Sequence, residues 1–116
     1  MELTIYHNPN CTKSRAALEL VRYKSTMLNI IEYLVAPLKK EDIRALLRTL
    51  KMEAMELVRT KEKCWSDLGL HSKSSEEEII NAMLKNRELI ERPIVVYDGK
   101  AAIGRPIENI IKLLGD

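Results

Sequence analysis

The opening third of the chain restricts its fold more than any other stretch. "ELTIY" at positions 2–6 is a short run of branched and aromatic residues, the composition of a strand. From Thr12 to about Tyr23 the period changes. Ala17, Leu18 and Val21 fall on one helical face, with Lys13, Arg15, Glu19 and Arg22 mostly elsewhere. "LNIIEYL" at 28–34 then predicts a second strand, closed by Ala36-Pro37. Strand, helix and strand in this order make a βαβ unit, whose strands pair in parallel through a right-handed crossover.

The middle of the chain reads as helical. Ile43, Leu46, Leu47 and Leu50 recur at the spacing of an amphipathic helix over 41–50. Met52, Met55 and Val58 predict a further short helix. After a loop holding "GLHSKS", Ser74 or Ser75 can cap a helix whose apolar face is Ile79, Ile80, Met83 and Leu84. The end returns to sheet. "PIVVY" (93–97) and "AAI" (101–103) flank Asp98-Gly99, the best hairpin signal in the sequence. Pro106 stands where a first-turn proline belongs. Ile107, Ile110, Ile111 and Leu114 are expected on the inner face of a last helix stopped by Gly115. The order βαβ, helical block, ββα predicts an α/β fold, one domain over 1–116 with a helical insertion at about 38–90.

Composition sets the class. At 116 residues, with 46 % hydrophobic and 31 % charged content, the chain suits one soluble domain. A net charge of +2 is too weak to indicate a nucleic-acid partner, which calls for a clustered basic stripe. No apolar run approaches the roughly 18 residues of a membrane span, and "MELTIYHNPN" lacks the basic start and apolar core of a signal peptide. No membrane association is therefore expected, and the location expected is cytoplasmic. The two cysteines, Cys11 and Cys64, lie far apart and are read as free thiols rather than a disulfide scaffold.

Cys11 stands between the first strand and the first helix, in "YHNPNCTKSR". Ligands of open α/β sheets bind at such strand ends. A thiol at a helix start also meets unpaired N–H groups and the positive end of the dipole, both of which favour thiolate. Lys13 and Arg15 are expected to act in the same direction. A buried, inert thiol is the competing reading, since free cysteines are often core residues. No metal site is expected: Cys64 and His71 would both have to converge on His7 and Cys11, and that spacing matches no zinc pattern. His7 can orient or deprotonate a neighbour, or simply bond to the adjoining turn. Ser14 can help cap the helix and donate toward the Cys11 sulfur.

Three arginines carry a further signal. Arg59 follows the predicted short helix, whereas Arg92 and Arg105 each stand directly before a proline at the edge of a sheet element. An arginine is usually a solvated surface charge. The residue before a proline is restricted in backbone angle, however, and a guanidinium matches a tetrahedral oxyanion bidentately. Sequence spacing alone does not bring the three together.

"YHNPNCTKSR", "LVRTKE", "RPIVV" and "IGRP", in that order from Thr4 to Leu114, resemble the glutaredoxin-coupled arsenate reductase family. The resemblance implies a thioredoxin-like fold with a mixed four-stranded sheet and a helical insertion. It implies Cys11 as the nucleophile, Arg59, Arg92 and Arg105 as oxyanion-binding arginines, His7 and Ser14 as groups that tune the thiolate, and Pro93 as a cis-proline. The implied reaction starts with attack of Cys11 on arsenate. The adduct is resolved by glutathione, as cosubstrate, and by glutaredoxin, with no bound cofactor. The same superfamily holds regulators resembling Spx, which bind RNA polymerase and carry a Cys-x-x-Cys switch; Ser14 occupies the place of the second cysteine here. It also holds relatives that keep the cysteine and arginines yet could act on another thiol or oxyanion substrate.

Overall fold

The computed structural model describes residues 2–24, 27–71 and 73–115. Ser72, in the expected "GLHSKS" loop, and the terminal residues 1 and 116 lie outside them. The chain divides into two compact units, one formed by residues 1–36 with 92–116 and the other by 37–91.

The first unit is built on a four-stranded sheet in the order β2-β1-β3-β4. β1 (Glu2–Tyr6) and β2 (Met27–Ile31) are parallel and are joined through α1 (Thr12–Arg22). β3 (Ile94–Tyr97) runs antiparallel to β1, and β4 (Lys100–Ile103) antiparallel to β3. Asp98 and Gly99 both take positive φ, 53° and 73°, the two-residue hairpin turn whose twist suits the flanking strands. Period-2 alternation sends Leu3 and Ile5 to one face of β1, and the register Ile5↔Val95 adds Val95 to it. Ala17, Leu18 and Val21 of α1 and Ile110 and Leu114 of α5 (Glu108–Gly115) join that same cluster, so both helices cover one face. Each fully buried Leu, Ile or Val there contributes about 1.5–3 kcal/mol, which is why β1 lies at the centre.

In the second unit, α2 (Lys40–Leu50) buries Ile43, Leu46 and Leu47, and α4 (Glu76–Lys85) buries Ile79, Ile80, Ala82 and Met83. Ser75 is the cap of α4: its hydroxyl accepts from Glu78 N–H at 3.2 Å, while its own N–H donates to Glu78 Oε1 at 2.9 Å. Ser74 serves the preceding loop instead, accepting from His71 N–H at 3.1 Å. A bridge between Val58 and Ile90, flanked by Arg59 N–H to Leu89 O and Glu91 N–H to Leu57 O, ties the middle of this unit to its end.

Several expectations are corrected in detail. The second strand stops at Ile31, not at residue 34. β1 ends at Tyr6, His7 N–H makes the last link to Ile31 O, and the chain then turns through Glu32, whose carbonyl accepts from Val35 and Ala36. The short helix around Met55 is a 3₁₀ turn, Ala54–Leu57. A helix α3 (Lys63–Asp67) and a 3₁₀ turn Arg87–Leu89 were not foreseen, each too short to display a period. Ile111 is half exposed, and Ile110 and Leu114 alone are buried on α5. Pro106 stands two residues ahead of α5, in a lead-in where Asn109 N–H bonds Pro106 O, and Gly115 lies within the helix rather than beyond it.

Gly104 closes the sheet onto α5. Its N–H donates to Pro93 O at 2.8 Å, and a Cβ added there would lie 2.5 Å from Ile110 Cδ1 and 2.9 Å from Pro93 Cγ. Gly104→Ala is therefore expected to destabilise the protein by about 1–3 kcal/mol through overpacking. Urea unfolding measures this, and an unchanged midpoint would show that the ring and the side chain can yield.

Candidate active site

Strand β1 delivers His7 to its end, and the turn Asn8–Asn10 reverses the chain into α1, with Cys11 as the N-cap residue. Cys11 has extended backbone angles (φ −104°, ψ 121°), its N–H bonds Asn8 O at 3.0 Å, and its carbonyl accepts the first helical bond from Arg15 at 2.9 Å. The N–H groups of the first turn have no partner within the helix. Those of Ser14 and Lys13 are turned to the Cys11 sulfur.

Two arginines complete the surroundings of the sulfur. Arg105 donates from Nη2 to Cys11 Sγ at 3.7 Å and from Nε to Arg92 O at 2.7 Å. One guanidinium thus holds the backbone of Arg92 and faces the thiol. The Arg92 side chain also reaches Cys11. Both residues precede prolines, and both peptides, Arg92–Pro93 and Arg105–Pro106, are cis. Burial is the largest single influence on Cys11 and would raise its pKa. The Ser14 N–H, the Arg92 guanidinium and the Lys13 N–H act against it, and the net shift is below the ordinary thiol value.

The polar support of this turn is buried. Ser14 is fully covered on the inner side of α1, His7 is 5 % exposed and Asn8 9 %. The Ser14 hydroxyl meets His7 Nδ1 at 2.7 Å and Asn8 N–H at 3.0 Å. Asn8 N–H can only donate, so the assignment that satisfies all three groups has Ser14 accepting from Asn8 and donating to neutral His7. Burial lowers the His7 pKa, outweighing the nearby Glu32 that raises it, and so favours that neutral form. Asn8 Oδ1 accepts from Asn10 N–H at 3.0 Å and closes the turn.

These contacts refine three expectations. Ser14 acts on the sulfur through its backbone N–H, because its hydroxyl is committed to His7 and Asn8. The His7 side chain bonds to Ser14 at the start of α1, past the adjoining turn. Among the side-chain cations, Arg92 is the one that most lowers the Cys11 pKa, and Arg105 donates to the sulfur; Arg15 donates to Pro9 O at 2.8 Å and Thr12 Oγ1 at 3.4 Å.

Arg59 belongs to the second unit. There its guanidinium pairs with Glu62 at 3.4 Å and Glu91 at 3.5 Å. Cys64, in the same unit, has its pKa raised by burial and by Glu88 and Glu62, the reverse of Cys11. Among the described residues no group of three or more His, Cys, Asp or Glu could hold a metal ion, and no helix is long and apolar enough to cross a membrane.

One buried polar residue is not marked by the sequence. Tyr33, just beyond β2, is completely buried, and that burial pushes its phenol pKa up to about 12, with the charge of Arg92 opposing the rise and that of Cys11 adding to it. Within "LNIIEYL" it looked like one more strand aromatic. No signal local to that stretch marks its hydroxyl.

The ArsC family model matches residues 6–113. The chain belongs to the ArsC family. Relatives span nearly its whole length. The uncharacterized protein YfgD of Escherichia coli (strain K12) is 44 % identical, with 98 % of each chain covered. An arsenate reductase of Neisseria meningitidis serogroup A is 36 % identical, covering 97 % of this chain and 98 % of the relative. The solved arsenate reductase from Vibrio cholerae superposes with a TM-score of 0.91 at 37 % identity, covering 98 % of both chains. The fold of this ArsC-family chain is thioredoxin-like, with a mixed four-stranded sheet.

The opposite shifts of the two thiols generate a test. A lowered pKa places more thiolate on Cys11 at low pH, and a raised one leaves less on Cys64. Iodoacetamide at pH 6–7 followed by peptide mapping is expected to alkylate Cys11 first. Faster labelling of Cys64 would reassign the reactive thiol.

Proposed function

We propose that the chain reduces arsenate to arsenite, with Cys11 as nucleophile and glutathione and glutaredoxin as the external thiols. The observation that supports this most directly is the Arg105 guanidinium, fastened to Arg92 O and directed at Cys11 Sγ. Family membership and relatives named arsenate reductase supply the substrate.

Near neutral pH both arsenate and the attacking thiolate are anionic. Two unit charges about 4 Å apart repel by roughly 4 kcal/mol at an effective dielectric of about 20, enough to slow attack by close to three orders of magnitude. Arg92 and Arg105 offset that repulsion, and their forks suit the oxygens of a tetrahedral anion. The Cys11 sulfur attacks arsenic, an S–As bond forms, and one oxygen leaves as water after taking up protons. Arsenic is still As(V) at this point. Glutathione then attacks the adduct; as Cys11 and glutathione become a mixed disulfide they release two electrons, and arsenic leaves as As(III). Glutaredoxin reduces the disulfide and returns Cys11.

An external resolving thiol suits a chain whose motif holds one cysteine and whose two cysteines are both free. Free thiols also fit a reducing compartment such as the cytoplasm. His7 and Ser14 are proposed to tune the thiolate by holding the turn that aims the Ser14 and Lys13 N–H groups. Pro93 is proposed as structural. Arg59 is proposed as the third oxyanion-binding arginine on the strength of the "LVRTKE" segment.

The test is turnover of arsenate by purified protein with glutathione, glutaredoxin and an NADPH-coupled readout. Saturable turnover is expected. Arg92→Ala or Arg105→Ala should lower it by about 10²-fold, the loss typical of one electrostatic stabiliser. No turnover from a protein whose Cys11 still labels at low pH would assign the site to another oxyanion.

A further inference from the structure

Arg105 is presented to Cys11 from a stretch that belongs to neither neighbouring element. β4 ends at Ile103 and α5 begins at Glu108, so residues 104–107 have no ladder or helix to fix them. Main-chain bonds secure the two flanks. Gly104 N–H donates to Pro93 O at 2.8 Å, and Asn109 N–H donates to Pro106 O at 3.0 Å. Between them a side chain steps in: Asn109 Nδ2 donates to Ile103 O at 3.0 Å and to Arg105 O at 3.4 Å.

We propose that Asn109 is a positioning residue: its side-chain amide clasps the carbonyls of Ile103 and Arg105 and so holds the Arg105 guanidinium on Cys11. The inference deepens the proposed reading of Cys11 as a nucleophile toward an oxyanion and rests on it. In a regular helix Arg105 O would accept the main-chain N–H of Asn109, four residues on. Here that N–H goes to Pro106 O, and the Asn109 side chain takes its place at Arg105 O. An amide can serve two carbonyls at once only through its NH₂ end, which carries two hydrogens, so its orientation is fixed by its partners. It thereby ties the last residue of β4 to the main chain of Arg105. The far end of the same arginine is held as well, with Nε on Arg92 O at 2.7 Å and Nη2 on Cys11 Sγ at 3.7 Å. Arg105 is pinned at its tip and at its root, and Asn109 supplies the root. Precision matters there, because a misplacement of about 1 Å near a reacting centre can cost about 10²-fold in rate. The amide is uncharged. It fixes Arg105 without neutralising the charge that sulfur and oxyanion need.

Asn109→Ala removes the amide at an exposed position and puts a stronger helix former in its place, so α5 is kept. Three measurements go together: the pH midpoint of Cys11 alkylation, kcat/KM for arsenate, and urea unfolding. The alkylation midpoint is expected to move up toward an ordinary thiol. kcat/KM should fall about 10-fold, part of the roughly 10²-fold expected when Arg105 itself is removed. In an Arg105→Ala background the same substitution should add almost nothing to either change, because both act through one guanidinium. A folded N109A protein with the wild-type alkylation midpoint would overturn the proposal. Full additivity with R105A would overturn it too, whatever the urea midpoint does, since the amide would then act on the fold and not on the arginine. Alkylation needs no arsenate, so an inactive wild-type protein would refute the proposed reaction while the midpoint still tested Asn109.

Discussion

A sulfur anion partly withdrawn from water is costly unless other groups replace the solvent it loses, and the first unit is organised around that replacement. Two backbone N–H groups at the start of α1, the Arg92 guanidinium and the Arg105 guanidinium all face Cys11. None of them can be supplied by the others' neighbours in sequence. The N–H groups exist because α1 begins at Thr12, and α1 is held there by Ala17, Leu18 and Val21 packing on the β1 and β3 side chains. The arginines arrive because β3 and β4 pair antiparallel beside β1, which brings residues 92 and 105 to the end of the strand that carries His7. Arg105 then binds Arg92 O, so its guanidinium is anchored on the backbone that carries Arg92.

Beneath the sulfur, the buried polar groups form a closed set. A hydroxyl, an imidazole and a backbone N–H buried together would be unfavourable if any were left without a partner. Ser14, His7 and Asn8 satisfy one another, and the result is a stiff turn in place of a flexible loop. Neutral His7 suits that role, since a charged imidazole would have to be stabilised in a 5 % exposed position. The contrast with Arg15, exposed and bonded to Pro9 O and Thr12 Oγ1, separates support from outside from support within.

Much of this was legible before any coordinates. The change from period 2 to period 3.6 after Tyr6, the Asp98-Gly99 turn and the apolar face of α2 depend on neighbours a few residues apart, so they are written in the chain directly. The thiol at a strand-to-helix junction was readable for the same reason, and the motif order made the family recognisable. Where the reading missed, the missing information was not local. β2 stops at Ile31 because β1 ends at Tyr6. Ile111 is half exposed because α5 turns only Ile110 and Leu114 into the core. Ser14 looked like a donor to sulfur until His7 and Asn8 were seen to hold its hydroxyl.

What the sequence determined by itself is therefore the set of elements, the reactive junction and the residue types able to hold an oxyanion. Each follows from propensity, periodicity or the fixed chemistry of a side chain. Only the tertiary structure decided which cations serve the thiol, and it brought Arg92 and Arg105 there from the two ends of the β3–β4 hairpin. It also decided that Tyr33 stands beyond the end of β2 and is completely buried, rather than being another strand aromatic. The physical reason is the same in both cases. Electrostatic and hydrogen-bond energies depend on distance in space, and strand pairing sets that distance between residues whose separation along the chain says nothing about it.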